Sequence, residues 1–235
     1  MKIRLFIIVL LVFSMNGLWS QETSNVRIPL IGEDAPSFTA NSTEGELNFP
    51  TDYGRKWKIL FSHPKDFTPV CSSEVLELAQ MQDEFDKLNV KLVVVSVDVL
   101  KEHKSWIEEL DKLTYKGKAP EEIKFALVDD NNLNISKKYG MLHFPVGTER
   151  DVRGVFIVDP NNKIRAVFFY PMEIGRNLVE IERTVLALQT HDELGVLTPA
   201  NWESGEDVLL PYHDATSQTD PKVYQISWFM IGKKL

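Results

Sequence analysis

The stretch KILFSHPKDFTPVCSSEVLELAQ, Lys58 to Gln80, holds a strand, a turn and a helix start, with the chain's only cysteine, Cys71, at the junction. Lys58 to His63 is a compact apolar run that Pro64 stops, as proline does in a strand. From Val75 onward Leu78, Met81, Phe85 and Leu88 recur at steps of three and four, the spacing of one buried helical face. Thr68 suits the N-cap and Pro69 the first helical position, so Cys71 becomes the third helical residue. The unpaired backbone N–H groups and the helix dipole there favour a thiolate, the nucleophilic form of cysteine.

Outward from this junction, strand and helix signals alternate. KLVVVSVD, Lys91 to Asp98, is a valine-rich run suited to a central strand covered on both faces. A polar helix is expected from about Lys101 to Leu113, with Trp106 and Ile107 inward. KFALVDD is a further short buried strand, and Asn132 to Tyr139 a short helix that Gly140 caps. Two strands, VRGVFIVD and KIRAVFFY, flank a hairpin turn at Pro160-Asn161-Asn162. Gly175 to Gln189 reads as a helix with Leu178, Ile181, Val185 and Leu188 on one face. Alternating β and α of this kind predicts an α/β fold: a central mixed sheet flanked by helices. After Thr190 the texture turns rich in Pro, Asp, Ser and Thr with isolated apolar anchors, the pattern of an extended C-terminal tail segment.

The first 20 residues carry Lys2 and Arg4, an apolar run from Leu5 to Phe13 and then small and polar residues around Gly17 and Ser20, a signal-peptide pattern. The run is shorter than the roughly 20 residues of a membrane span. Cleavage near Ser20 and an exported product, periplasmic or secreted, are expected. Loss of Lys2 and Arg4 takes the formal charge from -8 to -10, which disfavours nucleic acid and anionic membrane as partners. A single cysteine in an exported chain has no partner for an internal disulfide. It is a buried structural thiol, an intermolecular bridge or a reactive group.

PKDFTPVC fits the Pro-x-x-x-Thr-x-x-Cys signature of the peroxiredoxins, with Pro64, Thr68 and Cys71 in register. Together with FSHPKDFTPVCSSE, NVKLVVVSVD, GRN at Gly175 to Asn177 and TPANWESGEDV, this makes the chain resemble the long-tailed, one-cysteine subgroup of that family from about Ile31 to Leu210. The resemblance implies a thioredoxin-like peroxidase domain over residues 25–190 and a C-terminal dimerisation tail over 191–235, behind a signal peptide over 1–20. It also implies a thiol peroxidase acting on hydrogen peroxide and small organic hydroperoxides. Cys71 would attack the peroxide and become a sulfenic acid, and the Thr68 hydroxyl would hold the peroxide oxygens in line. Arg153 would stabilise the departing oxygen, with Arg176 as a second arginine near the site. Pro64 would shape and shield the pocket, Glu74 would hold an arginine in place, and His63 would contact substrate or close the strand as a satisfied histidine.

With no second cysteine, the sulfenic acid must be resolved by an external reductant, which the sequence leaves open among glutathione, a thioredoxin-like protein, ascorbate and other small thiols. A homodimer is expected through the tail, with Leu197, Pro199 and Trp202 as anchors; the alternative is a tail folded back on its own domain. The lipase motif Gly-x-Ser-x-Gly found in some members of the subgroup is replaced by GRKWK, Gly54 to Lys58, so no such activity is expected. The five scattered histidines and the absence of Cys-x-x-Cys or His-Glu-x-x-His predict no metal, and no cofactor is implied. Two other readings stand beside the peroxidase. One is a non-catalytic thioredoxin-like binding protein or holdase; the other is a cysteine hydrolase with His63, His103 or His143 as base.

Overall fold

The computed structural model describes residues 27–147, 149–211 and 220–235. The expected signal peptide and its cleavage point near Ser20 lie outside the described residues. Seven strands form one sheet: β1 (Phe38–Ser42), β2 (Gly45–Phe49), β3 (Trp57–Ser62), β4 (Val90–Ser96), β5 (Ala126–Asp129), β6 (Arg153–Val158) and β7 (Ile164–Tyr170). Their order is β2-β1-β5-β4-β3-β6-β7. β3, β4 and β5 are parallel, while β1, β2, β6 and β7 join antiparallel, which makes the sheet mixed. The valine run of β4 takes the central place, where both faces are covered.

Helices α1 (Pro69–Lys87), α2 (Leu100–Leu110), α3 (Asn134–Lys138) and α4 (Leu178–Leu194) complete the α/β layers. Alternation along β3 sends Ile59 and Phe61 to one face, against Val75, Leu78 and Phe85 of α1, Trp106 of α2 and Ile181 and Val185 of α4. Leu60 points the other way, into a second core with Val93, Val95, Phe156, Tyr139 and the stacked rings of Phe38 and Phe49. The short β1–β2 hairpin was not legible in the sequence. Its strands are five residues each, and β1 touches β5 at a single register pair.

Two helix ends depart from expectation. α4 begins three residues after Gly175, because the Asn177 side chain caps it by accepting from the Glu180 N–H, and it runs on to Gly195 at φ 65. At α1 the backbone of Thr68 occupies the N-cap position, but its hydroxyl does not cap the helix: it donates to the Lys65 carbonyl at 2.8 Å.

The C-terminal tail packs on its own domain. Trp202 is buried with Val196 and Val208 against Leu186 and Ala187 of the chain's own α4, and its indole N–H donates to the Glu206 carbonyl at 3.1 Å. Beyond it β8 (Val208–Leu209), β9 (Val223–Ser227) and β10 (Met230–Lys233) make a small antiparallel sheet in the order β8-β10-β9. Trp202 therefore anchors the tail to its own domain and is not free to anchor a partner. Leu197 stays exposed and Pro199 half-buried. Lys58, in the GRKWK stretch, is also spent on structure. It is buried, and its ammonium donates to the Gly54 carbonyl at 2.9 Å and to Asn162 Oδ1 at 2.6 Å.

Candidate active site

The site forms where β3 stops. β6 pairs antiparallel with β3, with Phe61 opposite Val155, so Arg153 at the first position of β6 lands beside the end of β3 and the start of α1. Gly154 permits this approach: a Cβ there would stand 3.0 Å from Ser62 Oγ and 3.2 Å from the Phe156 ring. Ser62 Oγ ties the two strands by accepting from Gly154 N at 2.8 Å and donating to the Val152 carbonyl at 2.7 Å.

Cys71 is fully buried at the third position of α1, one turn ahead of Glu74. Arg153 Nη1 lies 3.3 Å from Cys71 Sγ and donates to Glu74 Oε2 at 2.8 Å. Its Nε and Nη2 donate to the Met172 carbonyl at 3.0 and 2.6 Å, which fixes the plane of the guanidinium. Arg176 grips the other side of Glu74: its backbone N and Nε donate to Oε1 at 2.8 and 2.9 Å and its Nη2 to Oε2 at 2.6 Å. Arg176 Nη1 reaches the carbonyls of Ser62 at 2.8 Å and Gly154 at 2.9 Å, and the guanidinium stacks over the Phe61 ring.

Burial would push the Glu74 carboxyl up, but the Arg176 and Arg153 guanidiniums outweigh it and hold the group below its ordinary range. Among the described residues, two buried guanidiniums against one carboxylate leave one positive charge without a buried ion-pair partner beside the sulfur. An anion at Cys71, or on an oxygen leaving it, completes the balance. Arg153 was expected on a strand and proves wholly enclosed.

Pro64 is buried in the loop between β3 and α1. Thr68 stands three residues before Cys71, half-buried, with its hydroxyl hydrogen committed to Lys65 O. The oxygen's lone pairs are thereby left to accept a hydrogen from a bound molecule. His63 is buried and only half satisfied: Nε2 meets Asp66 Oδ1 at 2.9 Å, while Nδ1 has no partner. Its ring stands edge-on to Trp106, 5.1 Å between centroids.

Sequence reasoning missed Asp66. Its carboxylate bridges His63 and His103, and its backbone N–H donates to Asp98 Oδ2 at 2.8 Å. The signal was an acidic residue inside the motif loop, with a histidine three residues before it. His63, Asp66 and Asp98 bring ligand-type atoms within 4.8 Å of one another. Hydrogen bonds among them and from Ser96 already use those carboxylates, so the donor set fits a hydrogen-bond network better than a metal. Of the histidines considered as bases, His63 and His103 are both tied to Asp66, and His143 packs on Phe169.

The chain is similar to known proteins along most of its length. Residues 31–167 match the AhpC/TSA family, and residues 187–219 match the C-terminal domain of 1-Cys peroxiredoxin. A peroxiredoxin of Methanosarcina mazei is 45% identical over 215 residues, covering 88% of this chain and 98% of its own. The mitochondrial peroxiredoxin of Saccharomyces cerevisiae is 38% identical over 84% of this chain and 76% of its own. Among solved structures, a yeast mitochondrial 1-Cys peroxiredoxin superposes with a TM-score of 0.80 at 36% identity, covering 88% of this chain and all of that one. A peroxiredoxin 6 mutant of Arenicola marina gives 0.79 at 30% identity over 87% and 97% of the two chains. The fold is thioredoxin-like, the activity is that of a thiol peroxidase, and the chain belongs to the peroxiredoxin family, with the C-terminal domain of its 1-Cys members.

Proposed function

We propose that Cys71, Arg153, Thr68 and Pro64 carry the peroxidase reaction, with Glu74 and Arg176 holding Arg153. The observation behind this reading is the 3.3 Å approach of Arg153 Nη1 to Cys71 Sγ inside a buried cluster with excess positive charge. The Cys71 thiolate attacks one peroxide oxygen, an S–O bond forms as the O–O bond breaks, and the second oxygen leaves with both electrons. It takes a proton and departs as water from hydrogen peroxide or as an alcohol from an organic hydroperoxide. Arg153 faces the charge that develops on the leaving oxygen. Thr68 accepts from the peroxide O–H, and Pro64 offers no N–H to compete for it.

Resolution requires a reductant from outside, which we take to be a thiol, because Cys71 is the only cysteine. That thiol attacks the sulfenic sulfur and expels water to give a mixed disulfide, and a second thiol releases Cys71. The yeast relative is described as resolved through the glutathione and thioredoxin systems, and thiols of these two kinds are the reductants we infer. Steady turnover of peroxide with glutathione or with thioredoxin and its reductase tests this. Turnover with either supports it, and a single round of consumption with both refutes it.

Export behind a cleaved signal peptide is proposed on the charge and apolar pattern of residues 1–20. Among the described residues no helix is long and apolar enough to cross a membrane. A homodimer through the tail is proposed on the exposed Ile226, Trp228 and Phe229 of the β9–β10 hairpin, an apolar patch outside the tail's own core. Sedimentation of the chain with and without residues 220–235 tests it, since removal of the hairpin should leave monomers.

A further inference from the structure

Behind the active-site loop lies a buried charge network that the peroxidase reaction, as derived above, does not use. Both oxygens of Asp66 are committed, Oδ1 to His63 Nε2 at 2.9 Å and Oδ2 to His103 Nδ1 at 2.7 Å. The second ring nitrogen of His103, Nε2, lies 3.2 Å from the Val128 carbonyl on β5. A carbonyl and a carboxylate only accept, so both nitrogens of His103 must carry hydrogen, and the ring is an imidazolium. His63 presents one nitrogen to the carboxylate and has no partner for the other, so its ring is neutral with Nδ1 as a lone pair. The same assignment follows from the surroundings. Burial would push His103 down, but its bonds to Asp66 and Val128 hold it above its ordinary value, whereas burial keeps His63 below.

Asp66 sits in the turn that delivers Cys71. The next residue, Phe67, has φ 56, a left-handed backbone that a bulky side chain rarely adopts. That turn needs an anchor on each side. On one side Thr68 supplies it, its carbonyl accepting from Ser72 N at 2.9 Å and its hydroxyl donating to Lys65. On the other side the anchor is Asp66, held by His63, His103 and, through its backbone N–H, Asp98. We propose that His103, on α2, is a positioning residue for the peroxidatic turn: as an imidazolium it holds Asp66 and so fixes Phe67, Thr68 and the first turn of α1 around Cys71. The proposal rests on the reading of Cys71 and Thr68 given above and adds a pH dependence to it.

The groups facing His103 are Asp66 and His63 from the loop, Asp98 from the end of β4, and the Val128 carbonyl from β5. Loss of its proton leaves one N–H for two acceptors, so the link to Asp66 or the link to β5 is lost. Because the proton is held more tightly in the folded protein than in the unfolded chain, the anchor is complete below the unfolded value of about 6.5. It weakens as pH rises through the raised value.

The test compares the full chain with His103→Asn, in which an amide donor can face Asp66 and does not titrate. The bimolecular rate of Cys71 oxidation by hydrogen peroxide is followed from about pH 6 to about pH 10. The wild-type rate is expected to fall several-fold on the alkaline side, and the variant to be slower at neutral pH but to lack that fall. Nitrogen NMR of the wild-type imidazoles gives a second reading that needs no variant, with His103 protonated on both nitrogens and His63 on one at about pH 6. The same alkaline limb in both proteins, or a neutral His103 at about pH 6, would overturn the proposal while leaving the peroxidase assignment intact.

Discussion

Arg153 lies with Nη1 3.3 Å from the Cys71 sulfur, and the same nitrogen is held by Glu74 at 2.8 Å. The cation beside the sulfur is therefore held by a carboxylate that is itself gripped by Arg176. Replacing Arg153 by Gln keeps a polar side chain and removes the charge. The rate of peroxide reduction should fall roughly 10²- to 10³-fold, the usual loss when one preorganised donor to a developing oxyanion is removed. Stopped-flow oxidation of the variant checks this, and a loss of less than threefold would count against the role given to Arg153.

Glu74 separates two buried guanidiniums, so its removal should act on stability first. Glu74→Ala leaves Arg153 and Arg176 buried without their counter-charge, and a loss of about 3–5 kcal/mol is expected. Because the Glu74 carboxyl is held below its ordinary range, the wild-type contribution is present above the unfolded pKa of about 4.3. It is lost only as pH falls through the lowered folded value. Urea unfolding at neutral and acid pH reads both effects, and the variant's deficit should shrink on the acid side.

Thr68 has its hydroxyl hydrogen on Lys65 and its lone pairs open. Thr68→Ser preserves that geometry and should retain most of the rate, whereas Thr68→Val keeps the shape and loses the acceptor. A fall of roughly 10²-fold is expected for the valine variant, if the hydroxyl counts as one positioned hydrogen-bonding group. Equal rates for the two variants would show that the hydroxyl does not meet the peroxide.

Asp151 is buried two residues before Arg153, and burial, with the Asp130 charge beside it, outweighs Ser136 and pushes its carboxyl up to about 8. The unfolded chain ionises this group near the ordinary value, so the folded state loses stability between roughly pH 4 and pH 8 and no further above that. Asp151→Asn, which cannot ionise, should gain in Tm on the wild type as pH rises across this window. Thermal unfolding at several pH values checks it; a gain that shrinks with rising pH would contradict the assignment.

The junction of β3 and α1 was legible because three signals coincide there: an apolar run, a proline stop and a helical apolar period. The central place of β4 followed from its valines, which only a strand covered on both faces accommodates. The contacts of Arg153 and Arg176 were not legible. They depend on the antiparallel register of β6 against β3 and on where α4 begins, and both are tertiary facts. The Asp66 network escaped for the same reason, since His103 is 37 residues from Asp66 and joins it only once α2 packs beside β5. Trp202 was visible as a buried peg in a polar stretch. Which surface it enters is set by the fold of the tail, and that surface is the chain's own α4.

The most direct test of the account is reaction of the reduced chain lacking residues 1–20, free of excess thiol, with one equivalent of hydrogen peroxide, beside its Cys71→Ser variant and with mass spectrometry on the product. The account predicts stoichiometric consumption and a gain of one oxygen at Cys71, both absent in the variant. Peroxide left untouched by a folded wild-type chain, or consumed equally by the variant, would contradict it.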